Sequence, residues 1–330
     1  MQACELPGNP AFTSPLSLGW MVLFSGQGSP AIGMGSDACD VSPGTRRVWD
    51  CASDVAGFDV RKLCQKGPMT RLTRTLYQQV AVTTVNVAML TRLRELSPVP
   101  ETGYAGHSAG EYAALYAAGV MDLETLFRAI SQRAAIMQQL AEQRKGAMYA
   151  IKPCSYSQLR ELIDALQLTE HLNVCCDNGN HQQVVGGCVS ALKILINALA
   201  RQGISAIKLG VNGAWHSPLM ADGVALMRSA LAPLDFSSPR SPVVMNSSGL
   251  AEYSVARIKE NLALHLTHTV RWRDSMNQWT LMGYRNYLEV SNKKVLHHLL
   301  HDHYAHSEDH QVSHYYHLMR ENSPLEEACG

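Results

Sequence analysis

The chain has 330 residues, with 28 Lys and Arg balanced by 28 Asp and Glu. That balance removes the net field that would draw it to nucleic acid or an anionic membrane surface. No apolar run approaches the roughly 18 residues of a spanning helix, and the first twenty residues lack the basic segment and apolar core of a secretory leader.

Nine cysteines, an odd number without a Cys-x-x-Cys pair, argue against a disulfide framework or structural zinc and for a reducing, cytoplasmic setting. In chain order, residues 1–19 are rich in Pro, Ser and Gly and read as an irregular lead-in. Trp20 to Ser25 is a short apolar run that ends at Gly26-Gln27-Gly28, the pattern of a buried strand feeding a turn. Apolar spacing predicts a helix over residues 78–95. Past Pro98 and Pro100 comes GYAGHSAGEY, in which Ser108 stands between Gly106 and Gly110, and a helical run follows from Glu111 to about Ala118. Strand, sharp turn and helix is the setting that a Gly-x-Ser-x-Gly nucleophile elbow requires.

From about Ala147 the rhythm changes. MYAI, SQLRELIDAL, LNVCC, QQVVGG, ALKILINALARQ and SAIKLG read as β-α-β-β-α-β, the order of a small ferredoxin-like unit. After Val211 the strand-like VVMNSS and YRNYLEVS rejoin the earlier pattern. The fold expected is therefore α/β: a large α/β-hydrolase-like domain with a parallel sheet and a nucleophile elbow over residues 20–145 and 211–304. An inserted α+β ferredoxin-like domain occupies 146–210, and a His-rich tail runs over 305–330.

A hydroxyl becomes a nucleophile when a base takes its proton and the turn exposes it to substrate. At the elbow, the backbone N–H of Ala109 faces a developing oxyanion from a helix start. A glycine-flanked serine also arises by chance, and more than this motif is needed to assign chemistry. GHSAGEYAALYAAGV, FSGQGSPAIGMG near the start and GAWHSPLM further on together resemble the malonyl-CoA:acyl-carrier-protein transacylase family, which includes the acyltransferases of polyketide synthases. The resemblance runs from about Met21 to Leu300 with the motifs in the family's order.

It implies Ser108 as nucleophile and His216 as general base and acid, a role suited to a near-neutral pKa. It implies that His216 is oriented by a backbone carbonyl, here that of His265, where relatives commonly have Gln. The second oxyanion donor would be the backbone N–H of Gln27 beside that of Ala109. A phosphate-cradling role for this glycine loop lacks the Walker-A or full Gly-x-Gly-x-x-Gly spacing. Arg133 stands where the family grips the malonyl carboxylate, a task that suits the bidentate guanidinium fork. Trp215, bulkier than the Phe common in malonyl-selective relatives, predicts malonyl over methylmalonyl. Gln78 matches a pocket glutamine, although the proline that follows it in relatives is Gln79 here. His107 and, from the small domain, Asn178 or Asn180 are expected near the substrate.

Two departures stand out. The family's EVGPGKVL appears as Glu289 to Leu296 (EVSNKKVL), without its glycines and proline, and eight histidines crowd residues 297–317. Clustered histidines can bind metal, but their spacing matches no known site and the chemistry needs none, so a variable surface tail is expected. No cofactor is implied. The implied partners are malonyl-CoA and a phosphopantetheinylated acyl carrier protein or polyketide synthase carrier domain, with no nucleic acid and no membrane, and the chain is expected to act as a monomer. Two other readings stay open: an acyl hydrolase clearing stalled carrier proteins, and a non-catalytic carrier-protein docking module.

Overall fold

The computed structural model describes residues 19–28, 30–305 and 307–321. Ten strands form two sheets. In chain order they are β1 (Trp20–Phe24), β2 (Glu101–Gly106), β3 (Gly146–Lys152), β4 (Leu172–Asp177), β5 (Gln183–Cys188), β6 (Ser205–Lys208), β7 (Val243–Val244), β8 (Ala251–Glu252), β9 (Asn286–Glu289) and β10 (Gln311–His314).

The larger sheet has the order β10-β9-β1-β2-β7-β8 and is parallel except for the last pair. Its central strand explains the arrangement. Met21, Val22, Leu23 and Phe24 are all fully buried, as a parallel strand covered on both faces demands. Helices Thr75–Leu96 and Leu123–Gln143 pack against each other beside it. The first carries buried residues around most of its circumference, so it has no solvent stripe and reads as apolar from every side. The second begins at Asp122, whose carboxylate accepts the N–H of Thr125.

The smaller sheet, β4-β5-β3-β6, is antiparallel throughout and carries helices Tyr156–Ala165 and Val189–Arg201. Their apolar faces build a separate core around Leu159, Ile163, Leu192, Leu195 and Leu199. Cys176, at the end of β4, forms a parallel bridge with Val270 and so ties the smaller sheet to the larger unit.

The expected His-rich surface tail is not what the described residues form. Val295–His303 is a helix, β10 pairs in parallel with β9, and Tyr315–Glu321 is a further helix packed on Thr75–Leu96. Among these histidines His310 serves as a packing ring, stacking on Tyr304 at 3.9 Å, and Tyr304 stacks on Tyr287 at 5.3 Å, while His298, His301 and His317 are exposed. His314 is 1% exposed on the edge strand. Imidazole counts as polar in a hydropathy pattern, which hid this strand from sequence reading. His306 lies outside the described residues. Among those described, no three His, Cys, Asp or Glu side chains converge to hold a metal ion, and no helix is long and apolar enough to cross a membrane.

Because Tyr315 is fully buried, Tyr315→Ala should destabilise the protein by about 3–5 kcal/mol. Urea unfolding of both forms measures this, and a loss below about 0.5 kcal/mol would restore the view of a peripheral tail.

Candidate active site

β2 ends at Gly106, and the chain turns through His107, Ser108 and Ala109 into the helix Gly110–Ala117. Ser108 has φ 53°, in the left-handed region that side-chain-bearing residues avoid. The flanking glycines make this possible. A Cβ at Gly106 would lie 2.1 Å from the Gly110 backbone, and one at Gly110 would lie 2.1 Å from the Phe24 carbonyl of β1. The strained turn is held from outside by Asn246, which follows β7. Its Oδ1 accepts the Ser108 N–H at 2.8 Å, and its Nδ2 donates to the Gly106 carbonyl at 2.6 Å.

The Ser108 hydroxyl meets His216 Nε2 at 2.9 Å. His216 Nδ1 lies 2.6 Å from the backbone carbonyl of His265. A carbonyl can only accept, so the proton sits on Nδ1 and Nε2 is free to take the hydrogen of Ser108. His216 also has a left-handed backbone, φ 58°, and its own carbonyl accepts from Asn173 Nδ2 of β4 at 2.8 Å. The smaller sheet therefore fixes the imidazole that faces a serine of the larger one.

The surrounding ionisable side chains are almost fully buried. Burial, with the neighbouring His265 and Arg133, holds His216 well below the usual imidazole range. The His265 ring lies tilted against His216, centroids 4.5 Å apart, and is likewise held far below that range by burial. Its Nδ1 lies 3.0 Å from Glu111 Oε2 without hydrogen-bond alignment. Burial pushes Glu111 up to about 8 and the His265 ring down, so both partners are driven toward their neutral forms.

Arg133, on helix Leu123–Gln143, is 1% exposed and supplies the positive charge at the nucleophile. Its Nη2 donates to Ser108 Oγ at 3.3 Å, its Nη1 to Gln79 Oε1, and its Nε has no partner. No carboxylate pairs with it among the described residues, and desolvation depresses its pKa. A buried guanidinium that lacks a counter-ion is costly unless an anion arrives to pair with it.

A cleft of about 310 Å³ opens over Ser108 between the two sheets. Gly26, Gln27, His107, Trp215 and His216 are among its walls. Gly26 presses on the elbow so closely that a Cβ there would lie 2.4 Å from the His107 carbonyl and 3.2 Å from the Ala109 nitrogen. Neither the Gln27 nor the Ala109 N–H finds an acceptor among the described residues. His107 Nε2 pairs with Asn178 Oδ1 at 2.8 Å across the cleft. Gln78, Arg133 and Ala109 are buried just behind the cleft lining; Arg133 reaches it through Ser108, while Gln78 Oε1 accepts from Gln27 Nε2 at 3.3 Å. A wider depression of about 750 Å³, walled by Arg46, Asp50, Glu124 and Arg128, holds none of these groups.

The departure at EVSNKKVL is absorbed locally. Ser291 Oγ reaches Glu289 Oε1 at 2.8 Å and the Lys293 carbonyl at 2.6 Å, replacing a glycine turn by a side-chain one. Glu289 Oε2 accepts the His297 N–H at 2.8 Å, in the first turn of the helix that follows. Sequence reasoning missed Asn246 and Asn173. The signal was present in both cases, as a single amide side chain placed in or just after an apolar strand run.

The acyl transferase domain model matches residues 21–328. The chain belongs to the acyl transferase family. It is 33% identical over 276 residues to a malonyl CoA-acyl carrier protein transacylase of Bacillus subtilis, covering 83% of this chain and 69% of the relative. A transacylase structure from Xanthomonas oryzae pv. oryzae superposes with a TM-score of 0.85 at 29% identity, over 90% of this chain and 94% of that one. A malonyl-transacylase solved in complex with its type II polyketide synthase acyl-carrier protein gives 0.83 at 28% identity, over 90% and 94%.

Asn246→Ala in this acyl transferase would leave the Ser108 N–H and the Gly106 carbonyl unpaired in a buried turn. Labelling of Ser108 by a fluorophosphonate probe should slow by about tenfold or more. Wild-type labelling rates in the variant would mean that the turn holds itself.

Proposed function

We propose that this acyl transferase moves a malonyl group from malonyl-CoA to the phosphopantetheine thiol of an acyl carrier protein through a malonyl-serine intermediate. The observation that carries the reading is the double contact at Ser108 Oγ: a neutral imidazole on one side and a counter-ion-free guanidinium on the other.

In the first half-reaction His216 Nε2 takes the Ser108 proton as Oγ attacks the thioester carbonyl of malonyl-CoA. The N–H groups of Gln27 and Ala109 stabilise the tetrahedral oxyanion. Collapse breaks the C–S bond, and the proton on His216 passes to the departing CoA thiolate. In the second half-reaction His216 takes the proton of the carrier-protein thiol, the sulfur attacks the malonyl ester, and the proton returns to Ser108 Oγ. Arg133 pairs with the free malonyl carboxylate throughout, which sets the acyl group's register over the serine. Trp215, 4% exposed against the cleft, leaves little room for an α-methyl branch. Placement in polyketide or fatty-acid assembly follows from the named relatives, and a cytoplasmic setting suits the seven described cysteines, all free thiols.

Intact-protein mass spectrometry after incubation with malonyl-CoA should show one malonyl adduct on the wild type and none on Ser108→Ala. Arg133→Ala should lower malonyl acylation by about 100-fold while acetyl acylation changes little. Equal losses for the two acyl groups would remove Arg133 from carboxylate recognition.

The pH dependence has a definite sign. The base is active when neutral, and His216 is held below the ordinary value of 6.5. Acylation kcat/KM should therefore stay level as pH falls through about 6.5 and decline below it. A half-maximal point at or above that value would contradict a desolvated base.

A further inference from the structure

Gln79 is a fully buried amide that the transfer steps above leave without a task. It sits in the first turns of helix Thr75–Leu96. Its Oε1 accepts from Arg133 Nη1, while its Nε2 donates to Thr75 Oγ1 at 3.1 Å and approaches Met137 Sδ at 3.3 Å. Chemistry fixes the direction of the amide. A guanidinium can only donate, so the face toward Arg133 must be the carbonyl oxygen. Thr75 then donates to Gln27 Oε1 at 2.5 Å, and Gln27 Nε2 donates to Gln78 Oε1. Every donor in this chain points away from Arg133, so no single amide can flip without breaking a neighbour's bond.

A neutral acceptor orients a guanidinium without cancelling its charge. A carboxylate in the same place would orient it and neutralise it, and a hydrocarbon would do neither. Arg133 has a neutral anchor, an unpartnered Nε and no ion pair among the described residues. The charge is thereby reserved for a ligand. On an acylated Ser108 a malonyl carboxylate would lie one methylene beyond the ester carbonyl, within reach of a guanidinium that already touches Oγ.

We propose that Gln79 is the positioning residue that makes this site select acyl groups with a distal carboxylate: it holds Arg133 beside Ser108 with its charge unspent. The inference rests on the malonyl-transfer reading and extends it from the arginine that binds to the residue that keeps it available.

The test is single-turnover acylation by malonyl-CoA and by acetyl-CoA, followed as adduct mass, for wild type, Gln79→Glu and Gln79→Met. Gln79→Glu preserves shape while pairing Arg133 internally. It should lower malonyl acylation by about 100-fold and leave acetyl acylation within about threefold, collapsing the preference. Gln79→Met keeps the volume but removes the acceptor. It should cost about tenfold in malonyl acylation rate, with acetyl again spared. Thermal melts report whether each variant folds. If one does not, the other decides. A malonyl-to-acetyl ratio within about twofold of wild type in the folded variant would overturn the proposal, as would failure of both to fold, which assigns Gln79 to structure alone. A wild type that forms no malonyl adduct would instead remove the transfer reading itself, an outcome visible before any variant is compared.

Discussion

One hydrogen bond, from the Ser108 hydroxyl to His216 Nε2, brings the two reactive side chains together, and several separate elements hold its geometry. Both residues occupy left-handed backbone conformations, each costing on the order of 1–3 kcal/mol. Such strain persists where neighbours over-determine the turn. Asn246 grips the serine turn from a loop after β7, and His265 and Asn173 grip the histidine from a helix end and from the smaller sheet. Separate elements of the chain thus converge on one contact.

Burial then decides the charges. Desolvated by burial, the two adjacent imidazoles and Glu111 are all driven toward their neutral forms. Arg133 keeps its proton despite the same pressure because no guanidinium gives it up readily. The result is a guanidinium beside Ser108 among groups driven toward neutrality, with Lys293 also on the cleft wall. In the proposed transfer, a base that stays neutral is ready to accept a proton, and a cation without a counter-ion would favour an anionic acyl group. On that proposal both properties trace to the burial of the same few side chains.

The C-terminal histidines show how far side-chain type can mislead when context is missing. His310 and His314 act as rings and edge-strand residues in the packing of β9 and β10, beside Tyr287, Tyr304 and Tyr315. The same holds for the loop after Glu289, where a serine hydroxyl closes the turn. In both places a substitution that looks disruptive by composition is accommodated by a neighbour distant in sequence or by a short side-chain hydrogen bond.

What the sequence determined by itself was local. The apolar run of β1, the alternation of the small unit and the glycine pair around Ser108 all express constraints within a few residues, where periodicity and backbone sterics act directly. Resemblance extended that reach to His216, Gln27 and Arg133 through motif order. Tertiary structure alone decided which amides complete the site: Gln79 on Arg133, Asn246 on the elbow and Asn173 on His216 are separated from their partners by 54, 138 and 43 residues, respectively. It also decided that Gln78 stays behind the wall and that β10 joins the sheet. No local pattern encodes such pairings, because an amide or imidazole side chain has the same composition whether it meets water or a buried partner, and only the folded chain brings that partner within reach.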